Sequence, residues 1–124
     1  MISIAIDGPA GAGKSTIAKA VAKQLEYIYV DTGALYRSIA LNAINSGTNT
    51  DNEAEINELL SNTKVEIKFI DGEQRVFLNS QDVSDKIRTT EVSMMASRVS
   101  AIAAVRDFLL ELQRGLAREN NVIM

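Results

Sequence analysis

The chain has 124 residues, a length for one domain and one core, and its 46% hydrophobic and 23% charged residues are the composition of a folded globular protein. A net charge of -3 and a pI near 4.9 argue against a broad basic surface for nucleic acid, and no apolar run reaches the roughly 18 residues of a membrane span. Without a signal-like N-terminal stretch, the expectation is a cytoplasmic protein with neither nucleic acid nor membrane as partner. The absence of Cys and His removes disulfides, thiol nucleophiles, imidazole bases and zinc sites, which leaves carboxylates, Lys, Arg, hydroxyls, backbone groups and Mg²⁺ for any chemistry.

In chain order, residues 2–6 read as a short buried strand. It leads into Gly8-Pro9-Ala10-Gly11-Ala12-Gly13-Lys14-Ser15, a complete match to the phosphate-binding pattern G-x-x-x-x-G-K-[ST]. In such a loop the glycines let backbone N–H groups converge on phosphate oxygens, Lys14 adds a point charge, and Ser15 offers a hydroxyl to Mg²⁺. Thr16 opens a helix predicted over 16–25, which sets a helix N-terminus against the anion. Residues 27–30 are a second strand, ending at Asp31-Thr32-Gly33. The two strands and their helix make a right-handed βαβ unit that brings Asp31 and Thr32 to the edge carrying the phosphate loop. A helix over 34–45 follows, with Leu35, Ile39, Ala43 and Tyr36, Ala40, Ile44 at helical spacing and Ser46-Gly47 as its stop. Arg37 falls in its first turn, where the helix dipole offers a cation nothing.

Thr50-Asp51-Asn52-Glu53 reads as a capping box for a short helix to about residue 61. From residue 64 the period changes to alternation: Val65, Ile67 and Phe69 on one strand, an Asp71-Gly72 turn, a second strand over 75–79 and a third edge strand over 81–84. Thr89 or Thr90 caps a helix through Val92, Met95, Ala96 and Val99, the chain bends at 101–104, and Val105, Phe108, Leu109, Leu112 and Leu116 form the apolar stripe of a longer helix. Arg106 lies outside that stripe. Met94, Met95 and residues 27–29 read as core or pocket wall, and 121–124 as the start of a buried strand.

A phosphate loop alone does not separate kinases, GTPases, ATPase motors and non-catalytic nucleotide binders. No guanine-reading Asn-Lys-x-Asp stretch occurs. An Asp ending the neighbouring strand, an Arg six residues later, and an inserted hairpin with two helices suit phosphoryl transfer between two bound nucleotides. Asp31 reads either as a magnesium-shell or acceptor-orienting carboxylate or as a helix cap.

The loop continuing into Thr16, the run Val30-Asp31-Thr32-Gly33-Ala34-Leu35-Tyr36-Arg37, and Ser97 with Val105-Arg106 resemble the bacterial cytidylate kinase family. The likeness extends through Asp82-Val83-Ser84, Ile87-Arg88-Thr89 and Val122-Ile123-Met124. Adenylate kinases differ in the loop and lack the Asp-Thr-Gly-Ala-x-Tyr-Arg run. The resemblance implies an α/β phosphate-loop nucleoside-monophosphate-kinase fold, in which residues 1–33 and 120–124 form part of the nucleotide-binding core. Residues 34–119 then form the acceptor region, with an inserted antiparallel hairpin or three-stranded sheet at about 64–84. It implies ATP and Mg²⁺ as cofactors and CMP or dCMP as the acceptor. Gly8 to Thr16 bind the donor phosphates and Ser15 the metal. Lys14, Asp31 and Arg37 serve catalysis, with Arg37 gripping the acceptor phosphate. Thr32 joins Asp31 and Arg37 at the acceptor, and Ser97 and Arg106 read the pyrimidine edge. Arg88 matches the family without an evident role.

The family continues beyond Val122 with an Asp-Gly-Arg-Asp segment, further strands and an arginine-bearing lid, so the resemblance covers roughly its first half. The expectation is therefore a partial core, inactive alone, whose open sheet edge at Val122-Ile123 promotes self-association. The rival readings are an ATP-binding module without catalysis and a kinase for another acceptor such as UMP.

Overall fold

The computed structural model describes residues 2–5 and 14–123. In chain order its elements are β1 (Ser3–Ile4), α1 (Lys14–Leu25), β2 (Ile28–Tyr29), α2 (Thr32–Ser46), α3 (Glu53–Ser61), β3 (Val65–Ile70), β4 (Glu73–Leu78) and β5 (Gln81–Asp82). A 3₁₀ turn (Lys86–Arg88), α4 (Thr90–Ser100), α5 (Ala103–Glu119) and β6 (Val122–Ile123) complete it. Two compact units result, one of residues 1–31 with 112–124 and the other of residues 32–111. This is a mixed α/β structure with a parallel three-stranded sheet and a separate antiparallel three-stranded sheet.

In the first unit the strand order is β1-β6-β2, all parallel, with Val122 between Ser3 and Ile28 and Ile123 between Ile4 and Tyr29. The ladder is continued by Val122 N–H to Ile2 O at 2.9 Å, Ile28 N–H to Asn121 O at 2.9 Å and Val30 N–H to Ile123 O at 2.8 Å. Val122 and Ile123 are fully buried. This corrects the expectation of an open edge at Val122-Ile123: the strand is central, and its backbone groups have partners on both sides, as buried backbone requires. β1 and β2 are the outer strands instead. β1 is shorter than residues 2–6 and less buried than expected, with Ile2 52% exposed; α1 packs on β2 and β6, and Ile6 lies outside the described residues. α1 packs on β2 and β6 through Ala18 and Ala22, one helical turn apart, which meet Ile123 with Ile4, Val21, Tyr27 and Tyr29 around them.

In the second unit α2 packs against α3, β4, the 3₁₀ turn and α4. So many neighbours bury Leu35, Ser38, Ile39, Ala40, Leu41 and Ala43, a wider face than a single stripe. The hydroxyl of Ser38, fully buried, donates to Ala34 O at 2.9 Å, which satisfies the one polar group on that face. Ile56, Leu59, Val65, Ile67, Val76, Leu78, Val83, Ile87, Val92, Val99, Val105 and Leu109 are the unit's other buried apolar residues. Met94 is 64% exposed, so the core reading fails for it; it sits on the helix face opposite the buried Val92 and Val99.

Local signals explain most boundaries. α2 stops where Gly47 adopts φ +63 and its N–H, with that of Thr48, takes up the Ile44 and Ala43 carbonyls. A Cβ there would touch nothing within 4 Å, so conformation, not space, calls for glycine. Gly115, inside α5, is the opposite case: its added Cβ would meet only the Arg118 side chain, at 3.8 Å. Gly47→Ala is therefore expected to destabilise the fold by about 1 kcal/mol and Gly115→Ala to stabilise it by about 0.5–1 kcal/mol, measured by denaturant unfolding.

The capping of α3 differs from the expected box: Asn52 is the N-cap, its Oδ1 accepting from Glu55 N–H at 3.2 Å, and the helix starts at Glu53. Thr89 caps α4, accepting from Val92 N–H at 3.2 Å. Asp71 and Gly72 both have positive φ, the type I′ turn that matches strand twist. Asn79 and Ser80 repeat it between β4 and β5, so the third edge strand exists but is limited to Gln81–Asp82. Phe69, 40% exposed, leaves the alternation because β3 runs past the core near its turn.

Beyond β5, Arg75 Nε donates to Asp82 Oδ2 at 2.8 Å and its Nη2 to Asp85 Oδ2 at 3.3 Å. Ser84 N–H donates to Asp82 Oδ1 at 3.0 Å, and the Ser84 hydroxyl accepts from Val76 N–H at 2.8 Å. The Arg75 hydrogen bond, followed by those from Ser84, pulls the Asp82 carboxyl from 3.8 down to about 2. A folded-state value below the unfolded one stabilises the fold fully above pH 3.8, and that contribution is lost as pH falls toward 2. The difference in thermal midpoint between the parent and Asp82→Asn is expected to be constant above pH 4 and to close between about pH 4 and 2.

Candidate active site

Gly8, Pro9, Ala10, Gly11, Ala12 and Gly13, and the side chains of Lys14 and Ser15, lie outside the described residues. Lys14 and Ser15 are the first backbone positions of α1, so this helix begins two residues earlier than expected and directly at the Lys of the loop motif. Thr16 is exposed on its first turn. Asp31 is half-buried at the residue before α2, and Thr32 is that helix's exposed first residue.

Because α2 starts at Thr32, Arg37 lies in its second turn. It is the only charged residue in a 15-residue helix. Half-buried, it makes no ion pair or hydrogen bond among the described residues. A guanidinium with its hydrogen-bonding capacity unspent, on a helix without acids, is suited to a bidentate grip on an oxyanion.

α2 packs along α4, which carries Ser97. Ser97 is exposed and its hydroxyl donates to Ser93 O at 3.4 Å, a long and weak back-bond of the kind helix serines make. Arg106, exposed in the first turn of α5, reaches back to α4: its Nη1 donates to Ser100 O at 3.4 Å and Ala101 O at 3.2 Å. Ser100 in turn donates its hydroxyl to Ser97 O at 2.8 Å. The fold thus brings Ser97 and Arg106 to one helix end through Ser100, a residue the sequence reading passed over. Its spacing of three from Ser97 was the available signal.

Arg88, left without a role by the sequence, has its Nε donating to Ser84 O at 3.3 Å. That contact ties the 3₁₀ turn to the Arg75, Asp82 and Ser84 network. Among the described residues no cluster of three carboxylates or other metal-binding side chains occurs, and no helix is long and apolar enough to cross a membrane.

The family model for cytidylate kinase matches residues 4–124. Cytidylate kinases of Caldicellulosiruptor bescii and Caldicellulosiruptor saccharolyticus are 51% and 52% identical to the chain over 123 residues, and that of Bacillus thuringiensis (strain Al Hakam) is 48% identical. Each alignment covers 99% of this chain and 54%, 54% and 55% of the respective relative, so the chain spans about half the length of the curated relatives it matches. A match from Ile4 onward, at half identity, takes in the loop motif, Arg37 and the α4–α5 corner together: the chain belongs to the cytidylate kinase family.

Proposed function

We propose that the full-length protein transfers the γ-phosphoryl group of ATP to CMP or dCMP, forming the diphosphate and ADP. Family membership over residues 4–124 carries this reading, because that span holds both a complete phosphate-loop motif and an arginine without a partner among the described residues, on a helix with no acids. An oxygen of the acceptor phosphate attacks the γ-phosphorus, and the bond from that phosphorus to the β–γ bridging oxygen breaks as ADP leaves. The protein's contribution is positioning and charge neutralisation.

Residues 8–16 cradle the donor phosphates, with Lys14 on the β and γ groups. Arg37 grips the acceptor phosphate, Asp31 and Thr32 orient the acceptor, and Ser97 and Arg106 read its base. A Mg²⁺ ion bound with ATP would supply charge neutralisation to the donor phosphates. The residue types suit that ion: Mg²⁺ in kinases takes one or two protein oxygens and completes its shell with phosphates and water, so the Ser15 hydroxyl would hold it without an all-protein cage. The test is a panel of CMP, dCMP, UMP and AMP with ATP and Mg²⁺. Diphosphate formation fastest with the two cytidine nucleotides is expected; equal use of UMP or AMP would refute the base assignment.

A further inference from the structure

We infer that Ser100 is a positioning residue for pyrimidine choice, acting through the C-terminal cap of α4 on both Ser97 and Arg106. The inference rests on the reading of those two residues as contacts to the base. At its end α4 tightens: Ala101 N–H is directed at Arg98 O at 3.2 Å and Ile102 N–H at Val99 O at 3.1 Å, bonds over three residues in place of four. The Ser97 carbonyl thereby loses the amide that a continuing helix would bring to it. The Ser100 hydroxyl takes that carbonyl at 2.8 Å. The carbonyls of Ser100 and Ala101 have no following turn either, and Arg106 Nη1 covers both, a cation at the negative end of the helix.

This cap decides how the guanidinium is presented. Nη1 is the nitrogen that donates to both carbonyls, so this corner of the guanidinium is turned toward the protein. The Nε–Nη2 edge has no partner among the described residues and carries parallel donors. Cytosine offers two adjacent acceptors, N3 and O2, whereas uracil turns a donor, N3–H, toward the same edge. A fork held in one orientation therefore accepts cytosine and meets an unpaired, like-polarity group in uracil. Ser100 touches both halves of the reader: its hydroxyl holds the backbone of Ser97, and its carbonyl is one of the two on which Arg106 rests. Removing the hydroxyl orphans the Ser97 carbonyl and loosens the turn that aims the fork.

The experiment measures kcat and KM for CMP and UMP in the full-length protein and its Ser100→Ala, Ser100→Thr, Ser97→Ala and Arg106→Lys variants. Ser100→Ala is expected to lower the CMP-to-UMP ratio of kcat/KM by about threefold to tenfold, the worth of one hydrogen bond. The change should lie mainly in KM for CMP, with KM for ATP unmoved, and Ser100→Thr, which keeps the hydroxyl, should restore the ratio. A merely structural role would depress CMP and UMP use alike and leave the ratio intact. An unchanged ratio in Ser100→Ala, while Arg106→Lys or Ser97→Ala shifts it, overturns the inference alone. So does a fall that Ser100→Thr fails to restore. An unchanged ratio in Ser97→Ala and Arg106→Lys overturns the base-reading assignment itself, and the inference with it.

Discussion

Replacing Lys14 by Ala in the full-length protein is expected to lower kcat by about 10²–10³-fold, the cost of removing one preorganised charge from a developing transition state. The effect should exceed any loss of ATP affinity. On the proposed reading the loop's backbone N–H groups would still hold the ground-state triphosphate, while the charge that migrates with the γ-phosphoryl would lose a side-chain counterion. Turnover within a few-fold of the parent would remove Lys14 from the phosphoryl path. Lys14→Arg separates charge from shape, since the larger guanidinium keeps the cation but displaces the phosphates it should follow, and a loss nearly as deep as that of Ala is expected.

Arg37→Ala is expected to lower kcat/KM for CMP by about 10²-fold or more while leaving ATP binding unchanged, because the proposed grip would lose two charge-assisted hydrogen bonds to the acceptor phosphate together. The structural basis is its isolation: α2 has no other charged residue, and Arg37 has no partner among the described residues. A structural arginine would show a carboxylate or carbonyl in reach, as Arg75 does with Asp82 and Arg88 with Ser84 O. Arg37→Lys should recover only part of the loss, since a point charge cannot reproduce the fork. Equal impairment of both nucleotides would indicate that the residue supports the fold instead.

Much of the secondary structure was legible because its signals are local. Gly47 and the Asp71-Gly72 pair mark places where the backbone needs positive φ, Thr89 caps by its own side chain, and the stripe from Val105 to Leu116 has helical spacing. Strand order was not legible. Val122 and Ile123 read as a buried strand, yet nothing local says that two strands more than ninety positions earlier in the chain will flank them. The cap of α3 went astray by two residues because Thr50, Asp51 and Asn52 are all good caps, and only the helix start at Glu53 selects among them. Asn79 and Ser80 were missed as a turn because Ser seldom takes positive φ; pairing of Leu78 with Gln81 imposes it.

The candidate site was legible unevenly. The loop motif and Arg37 stand out by residue type alone. Ser97 and Arg106 carry no such mark, and their tie through Ser100 depends on how α4 ends and α5 begins, a tertiary fact. The Asp82, Ser84 and Arg88 chain was visible only as stretches that match the family without a physical role, since its bonds form once β5 and the 3₁₀ turn fold against β4.

The most direct measurement follows the labelled γ-phosphoryl of ATP when CMP and Mg²⁺ are supplied to the full-length protein. Label should appear in CDP, in step with ADP and one for one. Label released as inorganic phosphate with CMP unchanged, or retained in ATP while the protein binds nucleotide, would contradict phosphoryl transfer to a cytidine acceptor.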